Sequence, residues 1–292
     1  MKRLGIDLGG TKLLAVGLDG DDVRFRVRVP TGRGFGPDAA RAAILALASD
    51  ACTALGGLDS VGIGFPGLVN YHQGIARSTV ILDGWHDAAL AREVSDALGL
   101  PCAIDNDVNA AGIHEQALRG VPDLLYIAVG TGIGGAIVLG GTLWRGARGF
   151  SGEIGHMSID HNGPLCGCGR RGCLNQYASG TAIERAAGLQ LGQLAAGAEA
   201  PPAVLAAAAD ALGIAIGTAL NILDVPLVVL GGGIVELGDS YVDAVAARAR
   251  RECFREIGDA CQIVKSRGGY DAGALGAAAL GAGVSNARSP AT

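Results

Sequence analysis

One pattern occurs twice in this chain, and it restricts the fold more than any other feature. Ile6-Asp7-Leu8-Gly9-Gly10-Thr11 followed by Leu13-Leu14-Ala15-Val16 reads as strand, Gly/Thr turn, strand. Val129-Gly130-Thr131-Gly132 followed by Gly135-Ala136-Ile137-Val138 reads the same way. The signals around the first copy place strands at 4–7, 13–18 and 23–29, with Asp19-Gly20 as the hairpin turn between the last two. A helix over 39–55 opens at Pro37-Asp38, and a buried strand over 61–65 stops at Pro66-Gly67. A helix over about 88–98 and a strand at 101–104 follow. The second copy has strands at 124–129 and 134–139, then helices at 203–223 and 241–257 flanking a buried strand at 227–230. A last helix is expected over 272–282, and residues 286–292 read as a frayed end. This is one βββαβα-type unit used twice, an α/β architecture of two similar lobes. Such lobes, facing one another, leave a cleft between the two Gly-rich turns.

The composition agrees with that size and narrows the function. A length of 292 residues suits two domains of about 150 residues each. With 23 Lys+Arg against 28 Asp+Glu the formal net charge is −5, which offers no basic footprint for nucleic acid. No apolar run reaches the roughly 18 residues of a membrane span, and the start, Met1-Lys2-Arg3, lacks the apolar core of a signal peptide. The expectation is a soluble, cytoplasmic protein without nucleic-acid or membrane partners, its seven Cys serving as thiols or metal ligands.

Four segments carry candidate chemistry. Asp7-Leu8-Gly9-Gly10-Thr11-Lys12 follows a strand, where bare glycine backbone lets N–H groups approach a phosphate, and Asp7 is suited to holding Mg²⁺ through water. An ordinary hairpin turn also favours Asp and Gly, but the second turn at Gly130-Thr131-Gly132 favours a polyphosphate clamp, though neither turn is a GxxxxGK[ST] loop. Asp105-Asn106-Asp107-Val108-Asn109 joins a strand to a helix. Capping needs one Asp or Asn there, and four of the five residues are of that type, which suits orienting and deprotonating a hydroxyl. His156, Cys166, Cys168 and Cys173 have the spacing and chemistry of a closed structural zinc site inside a Gly- and Cys-rich loop, 146–173. Glu153 shares that loop. A zinc-bound imidazole leaves its other nitrogen for a ligand or acceptor. Cys52, Cys102, Cys253 and Cys261 read as buried thiols. Gly231-Gly232-Gly233 is either bare backbone beside a nucleoside or a plain helix entry.

Together these segments resemble the ROK family of sugar kinases, which includes bacterial glucokinases and N-acetylhexosamine kinases. The resemblance rests on Asp-x-Gly-Gly-Thr-Lys, Gly-x-Gly-x-Pro-Gly at 62–67, Asn106-Asp107-x-Asn109, Gly152-Glu153-x-Gly155-His156 and Cys-Gly-Cys-Gly-x-x-Gly-Cys, in family order along nearly the whole chain. It implies a two-lobed actin/hexokinase-like ATPase fold of duplicated ribonuclease H-like domains with a zinc-binding loop. The first lobe would span 1–115, with a C-terminal helix at about 275–292 packing back on it. The second would span 116–274, with the zinc loop at 146–175. The resemblance further implies an ATP-dependent kinase acting on the 6-hydroxyl of a glucose-type hexose, with ATP, Mg²⁺ and structural Zn²⁺. Asp107 would be the catalytic base, with Gly67, Asn106, Glu153, His156 and Asn175 around the sugar. Asp7, Gly9, Gly10, Thr11, Lys12, Thr131, Gly132, Gly232 and Gly233 would hold the nucleotide, and lobe closure would exclude water. A homodimer or homotetramer is implied too. This chain has Asn175 where the family usually has Glu, so glucose, an N-acetylated hexosamine and an aminoglucose all stay open. The family's repressors carry a DNA-binding module before the first turn, whereas only six residues precede Asp7 here. A sensor that had lost catalysis is the alternative to a kinase, but it would be expected to lack Asp107 or the Gly/Thr turns.

Overall fold

The structure, a computed structural model, describes residues 1–288, with side chains through residue 283. The part of the expected frayed end beyond residue 288 lies outside the described residues. The chain forms two compact units. The first comprises Met1–Leu118, Arg145–Phe150 and the segment from Gly268 onward, and the second comprises Arg119–Trp144 and Ser151–Arg267. Residues 145–150, read from the sequence as part of the second lobe, therefore cluster with the first unit, as do 116–118 and 268–274.

The first unit begins with β1 (Lys2–Leu8), β2 (Lys12–Asp19) and β3 (Asp22–Pro30), followed by α1 (Pro37–Leu55), β4 (Ser60–Phe65) and a small hairpin of β5 (Leu68–Asn70) and β6 (Ile75–Ser78). Then come α2 (Leu90–Leu98), β7 (Cys102–Asn106) and α3 (Asp107–Arg119). The second unit contains β8 (Leu124–Val129), β9 (Ile133–Leu139), β10 (Thr142–Leu143), α4 (Asn175–Ala178), α5 (Gly180–Ala186) and α6 (Pro202–Leu223). It continues with β11 (Leu227–Gly231), α7 (Asp239–Glu252), α8 (Arg255–Ala260) and β12 (Gln262–Lys265), and α9 (Ala272–Arg288) returns to the first unit.

The strand orders are the same in both units: β3-β2-β1-β4-β7 and β10-β9-β8-β11-β12. In each sheet the first two pairings are antiparallel and the last two parallel. The duplication read from two short turns thus extends to whole sheets. The hairpin β5–β6 and the edge strands β10 and β12 escape sequence reading because all are short, with two to four residues each, too few to display a period. The expected helix over 241–257 is interrupted: Cys253 is extended, at φ −94° and ψ 165°, and separates α7 from α8. The loop at 146–173 contains a 3-10 turn at Ile154–His156 and two isolated bridges, Ser158↔Cys173 and Leu165↔Arg171.

In the first unit, period-2 alternation sorts side chains to the two sheet faces. Leu4, Ile6 and Leu8 of β1 join a buried cluster with Ile44 and Leu47 of α1 and Val94 of α2. The opposite face, carrying Gly5 and Asp7, lies against α9. A methyl group on Gly5 would fall 1.8 Å from the Ala274 carbonyl oxygen, and one on Gly62 of β4 would fall 1.7 Å from that of Ala277. Neither position has a left-handed φ, so the glycines are required by helix-to-sheet distance alone. The expected outcome for Gly62→Ala is a loss of about 3 kcal/mol or more in urea unfolding, above the usual overpacking range because backbone rather than a side chain must move. By contrast, Gly20→Ala meets open space but a φ of +62°, so it should cost about 1 kcal/mol.

Helix α6 is long and apolar enough, by length and composition, to cross a membrane, although Asp210 interrupts its apolar run. Its surroundings explain the composition. Ala208, Leu212, Ala215, Ile216 and Leu220 are buried in the core of the second unit, together with Val245 and Ala249 of α7. Gly213 and Gly217, one turn apart, let α7 approach so closely that a Cβ at 217 would sit 2.7 Å from the Ala249 carbonyl oxygen.

Candidate active site

In the first unit, the turn after β1 closes with a hydrogen bond from the Gly9 N–H to the Lys12 carbonyl, 2.8 Å. Thr31 braces it, its Oγ1 donating to the Gly9 carbonyl (2.8 Å) and its N–H to the Thr11 carbonyl (3.0 Å). Asp7 ends up on the α9 face, and Gly273 leaves it room, since a Cβ there would be 2.8 Å from the Asp7 carboxyl carbon. Burial pushes the Asp7 carboxyl up to about 6, a rise that the Lys12 charge only partly offsets. The Lys12 ammonium lies 3.4 Å from the centre of the Tyr270 ring, with the Arg28 guanidinium at 4.8 Å, a cation–π arrangement.

The raised value has a consequence for stability. Between the ordinary Asp value of 3.8 and about 6, the folded chain holds a proton that the unfolded chain has released, so stability falls as pH rises through that window. Two pH units correspond to about 3 kcal/mol. Denaturant titrations at pH 4 and pH 8 should show this step in the parent and not in Asp7→Asn.

The strand-to-helix junction at 105–109 is tightly organised. Asp105, 3% exposed, accepts from the Asn106 N–H and the Asn109 Nδ2, each at 2.8 Å, through Oδ1. Its Oδ2 accepts from the Arg145 Nε at 2.6 Å, and the Arg145 guanidinium covers the Tyr71 ring at 4.5 Å. Asn106 caps α3, its Oδ1 accepting from the Val108 and Asn109 N–H groups (2.9 and 3.2 Å), while its Nδ2 donates to the Gly67 carbonyl (3.2 Å). Asp107 is the first residue of α3, and its Oδ1 accepts from the Val108 N–H at 2.9 Å. The excess of Asp and Asn thus has a structural share: Asn106 is the cap, and Asp105 and Asn109 lock the junction. The ion pair of Asp105 with Arg145 was not expected from the sequence. Asp105 was visible inside the motif, but no sequence signal links it to an arginine 40 positions away.

In the second unit the turn Gly130-Thr131-Gly132 is held from one side by a single segment. The Gly180 N–H donates to the Gly130 carbonyl (2.7 Å), Thr181 Oγ1 to the Thr131 carbonyl (3.0 Å), and the Ile133 N–H to Asn175 Oδ1 (2.8 Å). Gly232, after β11, has φ +91°, and a Cβ there would lie 2.5 Å from the Val129 carbonyl oxygen, so backbone packing beside the turn demands glycine at that position. At Gly233 a Cβ would meet nothing within 4 Å.

His156, Cys166, Cys168 and Cys173 come together, with one ligand atom from each lying within 4.8 Å of the others. His156 Nδ1 is 3.6 Å from Cys166 Sγ, and Cys168 Sγ is 3.6 Å from Cys173 Sγ. Tetrahedral zinc with bonds of about 2.3 Å places two sulfurs about 3.8 Å apart, so the residues fit that ion. Nδ1 faces the thiols, whereas Nε2 is 4.0 Å from Glu153 Oε2. The loop is seated on β9, where the Gly135 N–H donates to the Gly152 carbonyl at 2.8 Å.

Known proteins resemble this chain along nearly its whole length. The sequence profile described as the ROK family matches residues 3–283. A protein from Citrobacter koseri named N-acetylmannosamine kinase is 35% identical over 298 residues, covering 97% of this chain and 99% of that protein. A Caldicellulosiruptor relative named as a xylose repressor is 34% identical over 227 residues, which span 68% of this chain but only 56% of that protein's length. Among solved structures, a ROK hexokinase from Thermus thermophilus superposes with a TM-score of 0.82 at 34% identity, covering 97% of this chain and 98% of that one. A ROK family glucokinase from Streptomyces griseus, in complex with glucose and AMPPNP, has a TM-score of 0.81 at 29% identity, covering 97% and 100%.

Proposed function

Because the chain belongs to the ROK family, we propose that it is an ATP-dependent sugar kinase that phosphorylates the 6-hydroxyl of glucose or of an amino or acetamido glucose derivative. The observation that carries this reading is the setting of Asp107. It is a carboxylate at a strand end, on backbone pinned by Asp105, Asn106 and Asn109, where a base must be held still to meet a hydroxyl. The named kinases among its relatives, and the glucokinase bound to glucose and AMPPNP, support the substrate classes.

In this reading the sugar oxygen attacks the γ-phosphorus, the bond from that phosphorus to the ADP leaving oxygen breaks, and the hydroxyl proton passes to Asp107. Asn106 would hold a neighbouring hydroxyl beside Gly67, and Glu153 and His156 would grip the C1–C2 end, where Asn175 stands in place of the usual Glu. Gly9, Gly10, Thr11, Lys12, Thr131 and Gly132 would hold the phosphates, with Gly232 and Gly233 beside the nucleoside. Buried Asp7 suits a metal–nucleotide complex, since its ionised form needs a compensating positive charge. Mg²⁺ bound with the nucleotide supplies neutralisation of the phosphate charge. Zn²⁺ held by His156 and the three thiolates would fix the sugar loop and leave His156 Nε2 for the substrate side.

The test is an ADP-release screen with glucose, mannose, N-acetylglucosamine, N-acetylmannosamine, allose and 3-amino-3-deoxyglucose. One strongly preferred acceptor supports the reading and names the substrate. No turnover with any acceptor, together with retained nucleotide binding, replaces it with a catalytically inactive sensor.

A further inference from the structure

Asn175 stands between two segments that the proposed function assigns to different substrates. On one side its Oδ1 accepts from the N–H of Ile133, the residue that follows the Gly130-Thr131-Gly132 turn, at 2.8 Å. On the other side its amide abuts Gly155, in the middle of the Glu153–His156 loop. A Cβ on Gly155 would come within 2.7 Å of Asn175 Nδ2, 2.9 Å of its Oδ1 and 2.2 Å of the Ile133 carbonyl oxygen. Ile133, the Asn175 amide and Gly155 therefore form a stack without slack, and interiors packed this way transmit displacement rather than absorb it.

The rest of the segment reinforces both attachments. Upstream, the Leu174 N–H donates to the Met157 carbonyl at 2.9 Å, and both Cys173 and Leu174 are fully buried. Downstream, Gly180 and Thr181 hold the carbonyls of Gly130 and Thr131. Ser179 stiffens the interval, its Oγ donating to the Asn175 carbonyl (2.7 Å) and accepting from the Ala182 N–H (3.1 Å). Asn175 is where the segment touches the turn and the loop at once.

We propose that Asn175 is a positioning residue that couples the two substrates, transmitting nucleotide binding at the Gly130–Gly132 turn to the Glu153–His156 sugar loop through its amide. The proposal rests on the reading of the turn as a nucleotide site and the loop as a sugar site. It assigns Asn175 a task distinct from touching sugar: a side-chain acceptor is needed at this position because the Ile133 N–H must be met there. Coupling energies between sites commonly correspond to fivefold or greater effects.

Hydrogen exchange of the full chain with and without AMPPNP, and no sugar, tests this. In the parent, AMPPNP should slow exchange both in peptides covering 130–133 and, by about fivefold or more, in those covering 153–157. In Asn175→Ala the turn should remain protected while the loop loses its response to AMPPNP. Asn175→Asp, which keeps an acceptor for Ile133, should restore that response, a rescue that general loosening would not produce. Asn175→Ser, too short to reach Ile133, repeats the loss should the alanine variant not fold. An unchanged loop response in Asn175→Ala and Asn175→Ser, or no loop response in the parent, overturns the coupling. Absence of protection at 130–133 in the parent overturns the nucleotide reading, and the coupling with it.

Discussion

Asp107→Ala should lower kcat by about 10²–10⁴-fold, the usual contribution of a positioned general base, while the Kd for AMPPNP changes by less than about threefold, within the scatter of a 1 kcal/mol effect. The two halves of this expectation have separate physical origins. The junction that carries Asp107 is organised by Asp105, Asn106, Asn109 and Arg145, none of which is altered in the variant, so the fold should persist, and with it the proposed nucleotide site. What disappears is a proton acceptor at the strand end. Single-turnover phosphorylation, measured beside calorimetric binding of AMPPNP, separates the two. Retained turnover would remove Asp107 as the base, and a parallel loss of nucleotide affinity would make its role one of binding.

Metal removal should produce the second large effect. The His156, Cys166, Cys168 and Cys173 group should copurify with one zinc per chain, and chelation should lower thermal stability and sugar affinity together. Structural zinc contributes about 10–16 kcal/mol in small zinc-dependent peptides. The second unit also has an extensive apolar core, so the loss here should be local: the loop opens while the sheet stays folded. Elemental analysis, near-UV circular dichroism and limited proteolysis across 153–173 measure this directly. Cys173→Ser should reproduce the chelated state more fully than Cys168→Ser. Cys173 is buried, paired with Ser158 in a bridge and adjacent to the segment that reaches Asn175, whereas Cys168 is exposed. A metal-free preparation with an intact, protease-resistant loop would overturn the zinc assignment.

The duplication was legible in the amino-acid order because strand–turn–strand units need only local chemistry: alternating apolar residues and glycines at the bends. The His156–Cys173 cluster was legible for the same reason, since three of its four residues lie within eight positions (Cys166 to Cys173) and their thiol chemistry allows few alternatives. The Asp105–Asn109 junction was visible as an excess of carboxylates and amides, but the separate tasks of its members were not. Whether an Asn caps, locks or binds depends on which donors stand opposite it, and those belong to other segments. Arg145, brought to Asp105 across 40 positions, and Asn175, brought to Ile133 across 42, carry no local signature. The same holds for Gly5 and Gly62, whose necessity comes from the carbonyls of a helix more than 200 positions later, and for Asp7, whose raised pKa exists only once α9 covers it. Local order along the chain sets the elements and the grouping of the cysteines, because those depend on neighbours in sequence. Protonation, glycine requirement and the division of labour among like residues depend on neighbours in space, and only the folded units supply them.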